Sequence, residues 1–174
     1  MRTKVLIIAA GLVFAACASG GGAPVSGTIE VAGQDYSYSG IPDVVAPGAE
    51  LTFTNASDAE VHEMILVKVL DVETRTIEEL LALPESESES LVEFQGVLLA
   101  LPGEDGSNPE GEGSSITVTE AGRYAVVCFI PQGADPAMVA EAMQSGEGEG
   151  PPDMGDGTPH ALLGMVAEFQ VEEA

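Results

Sequence analysis

Short apolar runs, each closed by a turn signal, succeed one another from residue 28 to the end of the chain. Residues 28–38 (TIEVAGQDYSY) alternate, with Ile29 and Val31 on one face. Residues 43–46 lead into the Pro47-Gly48 turn, and residues 50–55 (ELTFTN) place Leu51 and Phe53 on one face. The longest apolar strand is 61–70 (VHEMILVKVL), followed by 115–119, a buried strand at 123–130 (RYAVVCFI) and a last one at 165–171 (MVAEFQV). About seven strands at even spacing predict a mainly β chain, a Greek-key β-sandwich with short inserted helices. The helices carry their own start signals. Thr76 and Glu79 form a capping box ahead of 76–83, which Pro84 ends, and Asp135 with Pro136 opens a second helix over 135–144. Residues 85–90 (ESESES) read as a solvated connector, and 91–101 mix apolar residues with Glu93, Gln95 and Gly96 without a firm pattern.

The first seventeen residues are an address. Arg2 and Lys4 precede an unbroken apolar stretch over residues 5–16, and Ala15 and Ala16 precede Cys17. That order describes a secretory signal, and the apolar run falls short of the roughly 20 residues that span a bilayer. The Phe14-Ala15-Ala16-Cys17 ending resembles a bacterial lipobox, which implies lipid attachment at Cys17. Residues 18–26 (ASGGGAPVS) are a flexible linker, and 27–174 form the folded domain, with a helical and acidic insert at about 131–159. The protein is therefore expected to be exported, on the periplasmic or extracellular face, and to meet the membrane only through its lipid anchor.

Charge narrows the partners. The chain carries 29 acidic and 5 basic side chains, a net of −24. Phosphate recognition needs Lys and Arg, so no nucleic-acid partner is expected. Beyond the leader only Lys68, Arg75 and Arg123 remain, and such a surface steers encounters towards a basic partner or keeps a monomer soluble in salt.

Cysteine usage then becomes informative. If Cys17 is lipidated, Cys128 is a single thiol in an oxidising compartment, and it needs burial, metal ligation or catalysis to explain it. His62 opens the long strand, Cys128 ends the buried one, and His160 and Met165 bracket the turn into the last. Two imidazoles, a thiolate and a weak axial thioether are the donor set of blue-copper sites. Other chemistry fits poorly. No Ser/His/Asp set is apparent, and the thiol sits in an apolar strand with no cation to activate it. Met138, Met143 and Met154 lie in the insert, where the first two read as helix packing.

At these residues the chain resembles the cupredoxin family. The segment Gly122-Arg123-Tyr124-Ala125-Val126-Val127-Cys128 is similar to that family's penultimate strand, running into its copper cysteine. His160-Ala161-Leu162-Leu163-Gly164-Met165 resembles its His-x4-Met turn, and Leu51-Thr52-Phe53-Thr54-Asn55 followed by His62 resembles its early ligand strand. The resemblance implies one type 1 copper ion held by His62, Cys128, His160 and Met165, with Tyr124 a structural anchor. It also implies a non-enzymatic, one-electron carrier meeting a basic redox protein of cytochrome or oxidase type. A copper-handling protein and a metal-free interaction module are the alternatives. Two features depart from the family pattern. In this chain 31 residues separate Cys128 from His160. Such an insertion is cheap, at about 0.6 kcal/mol per doubling of loop length, but it predicts a less rigid or lidded site. Glu63 also follows His62 where a small polar residue is usual, and either bonds the site loops or faces water.

Overall fold

The computed structural model describes residues 23–109, 111, 113–145 and 154–173. Cys17, the leader and the start of the linker lie outside them, as do the middle residues of the acidic loop before His160. The strands are β1 (Thr28–Gln34), β2 (Ser37–Ser39), β3 (Val44–Val45), β4 (Glu50–Asn55), β5 (His62–Val69), β6 (Val92–Ala100), β7 (Ser115–Thr117), β8 (Gly122–Val127) and β9 (Val166–Val171). They form two sheets, ordered β2-β1-β4-β7 and β3-β9-β8-β5-β6. β1 runs parallel to β4 and β3 parallel to β9, while the other pairs are antiparallel. The result is the expected mainly β sandwich.

Alternation builds its core. Ile29 and Val31 of β1 and Leu51 and Phe53 of β4 face Met64 and Leu66 of β5, Tyr124 and Val126 of β8, and Phe169 and Val171 of β9. Tyr124 is fully buried, stacks on Phe169 at 5.6 Å between ring centroids, and donates its hydroxyl proton to the Glu120 carbonyl at 2.9 Å. It is a structural anchor, as the sequence predicts. β5 reads as a continuous apolar run because both of its faces are covered. On the outer face, Val67 and Val69 pack with Ala125 and Val127 beneath Ile77 and Leu80. Those two side chains come from α1 (Ile77–Leu81), whose capping box of Thr76 and Glu79 is fully formed.

Three expectations need correction. Residues 28–38 are two strands, because Asp35 and Tyr36 adopt φ of 46° and 66° between the paired Gln34 and Ser37. Two positive-φ residues in a two-residue loop reverse the chain with the twist a hairpin needs. The acidic 85–90 segment forms a helix, α2 (Glu85–Glu89), started by Pro84 and buried nowhere. Its acids crowd the first turn, where the helix dipole favours them. The unassigned stretch is β6, paired along the whole of β5. Its register slips between Leu66 and Val67, leaving Gln95 as a bulge residue beside Gly96 at φ 153°. One extra residue exchanges the faces midway, so no single alternation runs through the segment.

The second predicted helix is α3 (Pro136–Ser145), where Asp135 Oδ1 accepts from the Ala137 N–H at 2.9 Å. Met143 packs on the core cluster, whereas Met138 is 55% exposed and does not. Among the described residues no helix is long and apolar enough to cross a membrane.

At the end of β4, Asn55 is fully buried and fixes the approach to His62. Its Nδ2 donates to the carbonyls of Glu60 (2.8 Å) and Ala100 (3.0 Å), and its Oδ1 accepts from the Ser57 N–H at 2.9 Å. Asn55→Ala strands these buried groups, each worth about 1–3 kcal/mol. We expect a loss of roughly 2–3 kcal/mol, read as a lower urea midpoint at unchanged slope.

Candidate metal centre

Three separate elements deliver the donors to one end of the sandwich. His62 is the first residue of β5, Cys128 follows the last residue of β8, and His160 opens a 3-10 helix (His160–Leu163) leading to β9. All three are wholly buried, as is Met165. His62 Nδ1 lies 3.1 Å from His160 Nδ1, and Cys128 Sγ lies 3.4 Å from His160 Nδ1. The ligand atoms of the three residues fall within 4.8 Å of one another, the one such group among the described residues. Two imidazole nitrogens at that separation repel if both present lone pairs, so a shared proton or a cation must lie between them. A thiol with two imidazoles is the donor set that suits copper in a type 1 site. The expected set of His62, Cys128 and His160 is therefore assembled in space.

Met165 is buried beside this group. It belongs to the same buried cluster as Cys128, Val61 and Ile130. Its carbonyl accepts from the Cys128 N–H at 3.3 Å, and its N–H donates to the His160 carbonyl at 3.0 Å. Gly164 makes that turn, at φ 106°. Gly33 gives the thioether its room, since a Cβ there would lie 2.9 Å from both the Met165 methyl carbon and the Phe53 ring.

The insert between Cys128 and His160 does not loosen the site. Its stem is zipped by backbone hydrogen bonds: Ala161 N–H to Cys128 O (2.7 Å), His160 N–H to Ile130 O (3.0 Å) and Gln132 N–H to Thr158 O (3.0 Å). Pro131 and Pro159 form a bridge between them. The ligand turn therefore lies against the cysteine loop as a short β-ladder, and the extra residues emerge beyond it.

Glu63 bonds the site loops. Its side chain is buried, its Oε1 accepts from the Phe129 N–H at 2.9 Å, and its own N–H points at Cys128 Sγ at 3.5 Å. The residue thus locks the segment beside the cysteine onto β5 and offers the sulfur a donor. Burial raises its pKa to about 7, with the bonds from Phe129 and Ile130 opposing. Burial, then the Glu63 charge, pushes the Cys128 thiol to about 12 in the metal-free protein. A coordinated cation reverses that balance and holds the thiolate. Burial, then the neighbouring His160, lowers His62 to about 4, and burial lowers His160.

Two tyrosines and a carboxylate escaped the sequence reading. Tyr38 donates its hydroxyl proton to the Glu63 carbonyl, and burial raises its pKa well above the ordinary value. Tyr36, in the hairpin turn, lays its ring 4.8 Å from that of His160 and accepts from Gln132 Nε2 at 2.8 Å. A bulky side chain in the left-handed region costs about 1–2 kcal/mol, so this contact is held against a backbone preference. Glu60 Oε2 lies 3.5 Å from His160 Nε2. None of the three follows a periodicity or motif. Only Tyr36 left a trace, as an aromatic placed between turn residues.

No family model and no curated protein matches this chain. Among solved structures it is similar to the dithionite-reduced auracyanin of Roseiflexus castenholzii, at 18% identity and a TM-score of 0.45, over 86% of this chain and 98% of that one. It is also similar to auracyanin A, a "blue" copper protein of Chloroflexus aurantiacus, at 20% identity and 0.44, over 86% and 99%. Auracyanin B matches at 14% and 0.40, over 88% and 93%. At that distance the likeness assigns no chemistry to this chain.

The buried carboxylate makes a pH signature. Folded Glu63 keeps its proton to about pH 7, while the unfolded chain releases it near 4.5. The folded state binds more protons in between, so this group's stabilisation falls as pH rises through that window. His62, lowered from 6.5 to about 4, acts in the opposite sense over most of the same range. Glu63→Gln removes only the first effect. In urea melts of metal-free protein, the variant should gain on the wild type as pH rises through the window and then hold constant. Parallel pH profiles would contradict this.

Proposed function

We propose that this chain is an exported type 1 copper protein of the cupredoxin kind, carrying single electrons at a membrane surface. One observation carries the reading: two imidazole Nδ1 atoms and a thiol sulfur converge, fully buried, from three elements bonded to one another. Copper bound there would supply a one-electron couple. The chain's part is to hold His62, Cys128 and His160 in one arrangement, with Met165 as the axial candidate, so that little moves when charge changes. The stem ladder and the Glu63–Phe129 bond serve that purpose, and the surrounding apolar cluster excludes water.

Burial of the whole donor set favours a carrier over a copper-delivery protein, which must offer its ligands to a recipient. It also leaves no donor facing a solvent-open position where a substrate would sit, so we propose no catalysis. The surface supports a basic redox partner of cytochrome or oxidase type. Lys68 pairs with Glu120 (2.6 Å), Arg75 with Glu73 (2.6 Å) and Arg123 with Glu168 (3.3 Å), so the few cations are already engaged and the acidic excess faces outward. Such complexes are small and transient, with charge setting the encounter rate. The lipid anchor at Cys17 would hold the carrier, as a monomer, at the periplasmic or extracellular face.

Titrating the domain lacking its leader with Cu(II) should give an intense visible thiolate-to-copper band, absent in Cys128→Ser. A colourless protein that retains no copper overturns the reading. The anchor has its own test. Full-length chain expressed in bacteria with an alkyne-labelled fatty acid should become labelled and sediment with membranes, and Cys17→Ser should do neither.

A further inference from the structure

His160 meets a carboxylate that the donor set does not account for. Its Nδ1 faces His62 and Cys128, while its Nε2 is buried and makes no full hydrogen bond. Facing that nitrogen at 3.5 Å is Glu60 Oε2, and the same oxygen accepts from the Gly133 N–H at 2.9 Å. Gly133 lies in the first turn of the insert, at φ 76°. Glu60 is itself held at both ends of its backbone. Its N–H donates to Ser57 Oγ at 3.0 Å, and its carbonyl accepts from Asn55 Nδ2 at 2.8 Å. The oxygen is therefore presented by a fixed turn rather than by a free side chain.

We infer that Glu60 is the positioning residue of His160, a carboxylate that fixes the ring's proton on Nε2 and, through the shared oxygen, ties the insert's first turn to the metal site. A neutral imidazole that ligates through Nδ1 must carry its proton on Nε2, and an acceptor there selects that tautomer and strengthens the donor. The Tyr36 ring lies 4.8 Å from that of His160, while the Gln132–Tyr36 bond is exposed and makes no contact with the donors.

The inference rests on copper binding through these residues, and its test separates the two. Cu(I) affinity is measured by competition with a chromophoric chelator for wild type, Glu60→Ala, Glu60→Gln and Gln132→Ala. Gln132→Ala releases the insert from Tyr36 without touching His160. Loss of a partner that orients a ligand typically costs 10–100-fold in metal affinity. Glu60→Ala should weaken binding on that scale, Glu60→Gln should recover most of it through its amide oxygen, and Gln132→Ala should bind as wild type does. Equal affinity of Glu60→Ala and wild type overturns the inference. So does an equal loss in Gln132→Ala, which would reduce Glu60 to a loop tether.

A metal-free measurement decides the matter even if no copper binds or Glu60→Ala does not fold. Nitrogen NMR of the histidine rings in the wild-type protein should show the His160 proton on Nε2, exchanging slowly, with Nδ1 bare. A proton on Nδ1 overturns the inference. Where the variant folds, faster exchange of the Nε2 proton in Glu60→Ala supports it, and unchanged exchange counts against it.

Discussion

Two imidazoles and a thiol are withdrawn from water at one end of this sandwich, and the structure around them answers the cost of that withdrawal. Buried polar groups without partners are expensive, by about 1–3 kcal/mol each. The backbone around the donors is accordingly satisfied: Cys128 both accepts from Ala161 and donates to Met165, and His160 both donates to Ile130 and accepts from Met165. The side chains are not satisfied to the same degree. His62 Nε2 lacks a hydrogen-bond partner, His160 Nε2 has only the Glu60 carboxylate at 3.5 Å, and the two Nδ1 atoms face each other at 3.1 Å. A pocket whose backbone is satisfied and whose ring nitrogens lack full partners suits a bound cation.

That arrangement depends on the sandwich being continuous up to the site. β5 brings His62 in from one side, paired along its length with β6 and over Ile65–Lys68 with β8, so the histidine is an extension of the sheet and not a loop residue. β8 and β9 are adjacent and antiparallel, which places the residue after one beside the turn before the other. The insert between them is tolerated because it leaves from this pairing and returns to it. Its described part packs Ala134 and Val139 into the cluster around Cys128, while the ligand-bearing residues keep the geometry that a short connection would impose.

Charge and site are segregated for the same reason. Lys68, Arg75 and Arg123 are engaged in ion pairs with Glu120, Glu73 and Glu168, and the Arg123 guanidinium also donates to the carbonyls of Glu73 and Arg75. They fasten α1 and the strand ends and neutralise little of the surface. The acidic side chains that enter the site, Glu60 and Glu63, are bound to backbone N–H groups of the segment following Cys128. Carboxylates thus act as solubilising charge outside and as clamps on the ligand loops within.

Much of this was legible in the residues. Strand alternation, the capping box at Thr76 and the Asp135–Pro136 helix start are local signals, set by neighbours in the chain. The donors were legible because soft and imidazole side chains are so few: two histidines and one cysteine beyond residue 17 leave little choice. Contacts set by packing across the fold could not be read. The bulge at Gln95 hid β6 because it exchanges faces midway, and the hairpin at Asp35 and Tyr36 lay inside a segment that alternates on both sides of it. Glu60, Tyr36 and Tyr38 reach the site from turns and an edge strand, where no periodicity marks them. The order of elements and the identity of the donors were fixed by the chain alone, since both follow from local propensity and composition. Which nitrogen faces which neighbour, and what fastens the long insert to the site, was decided only by tertiary structure, because those contacts join residues dozens of positions apart.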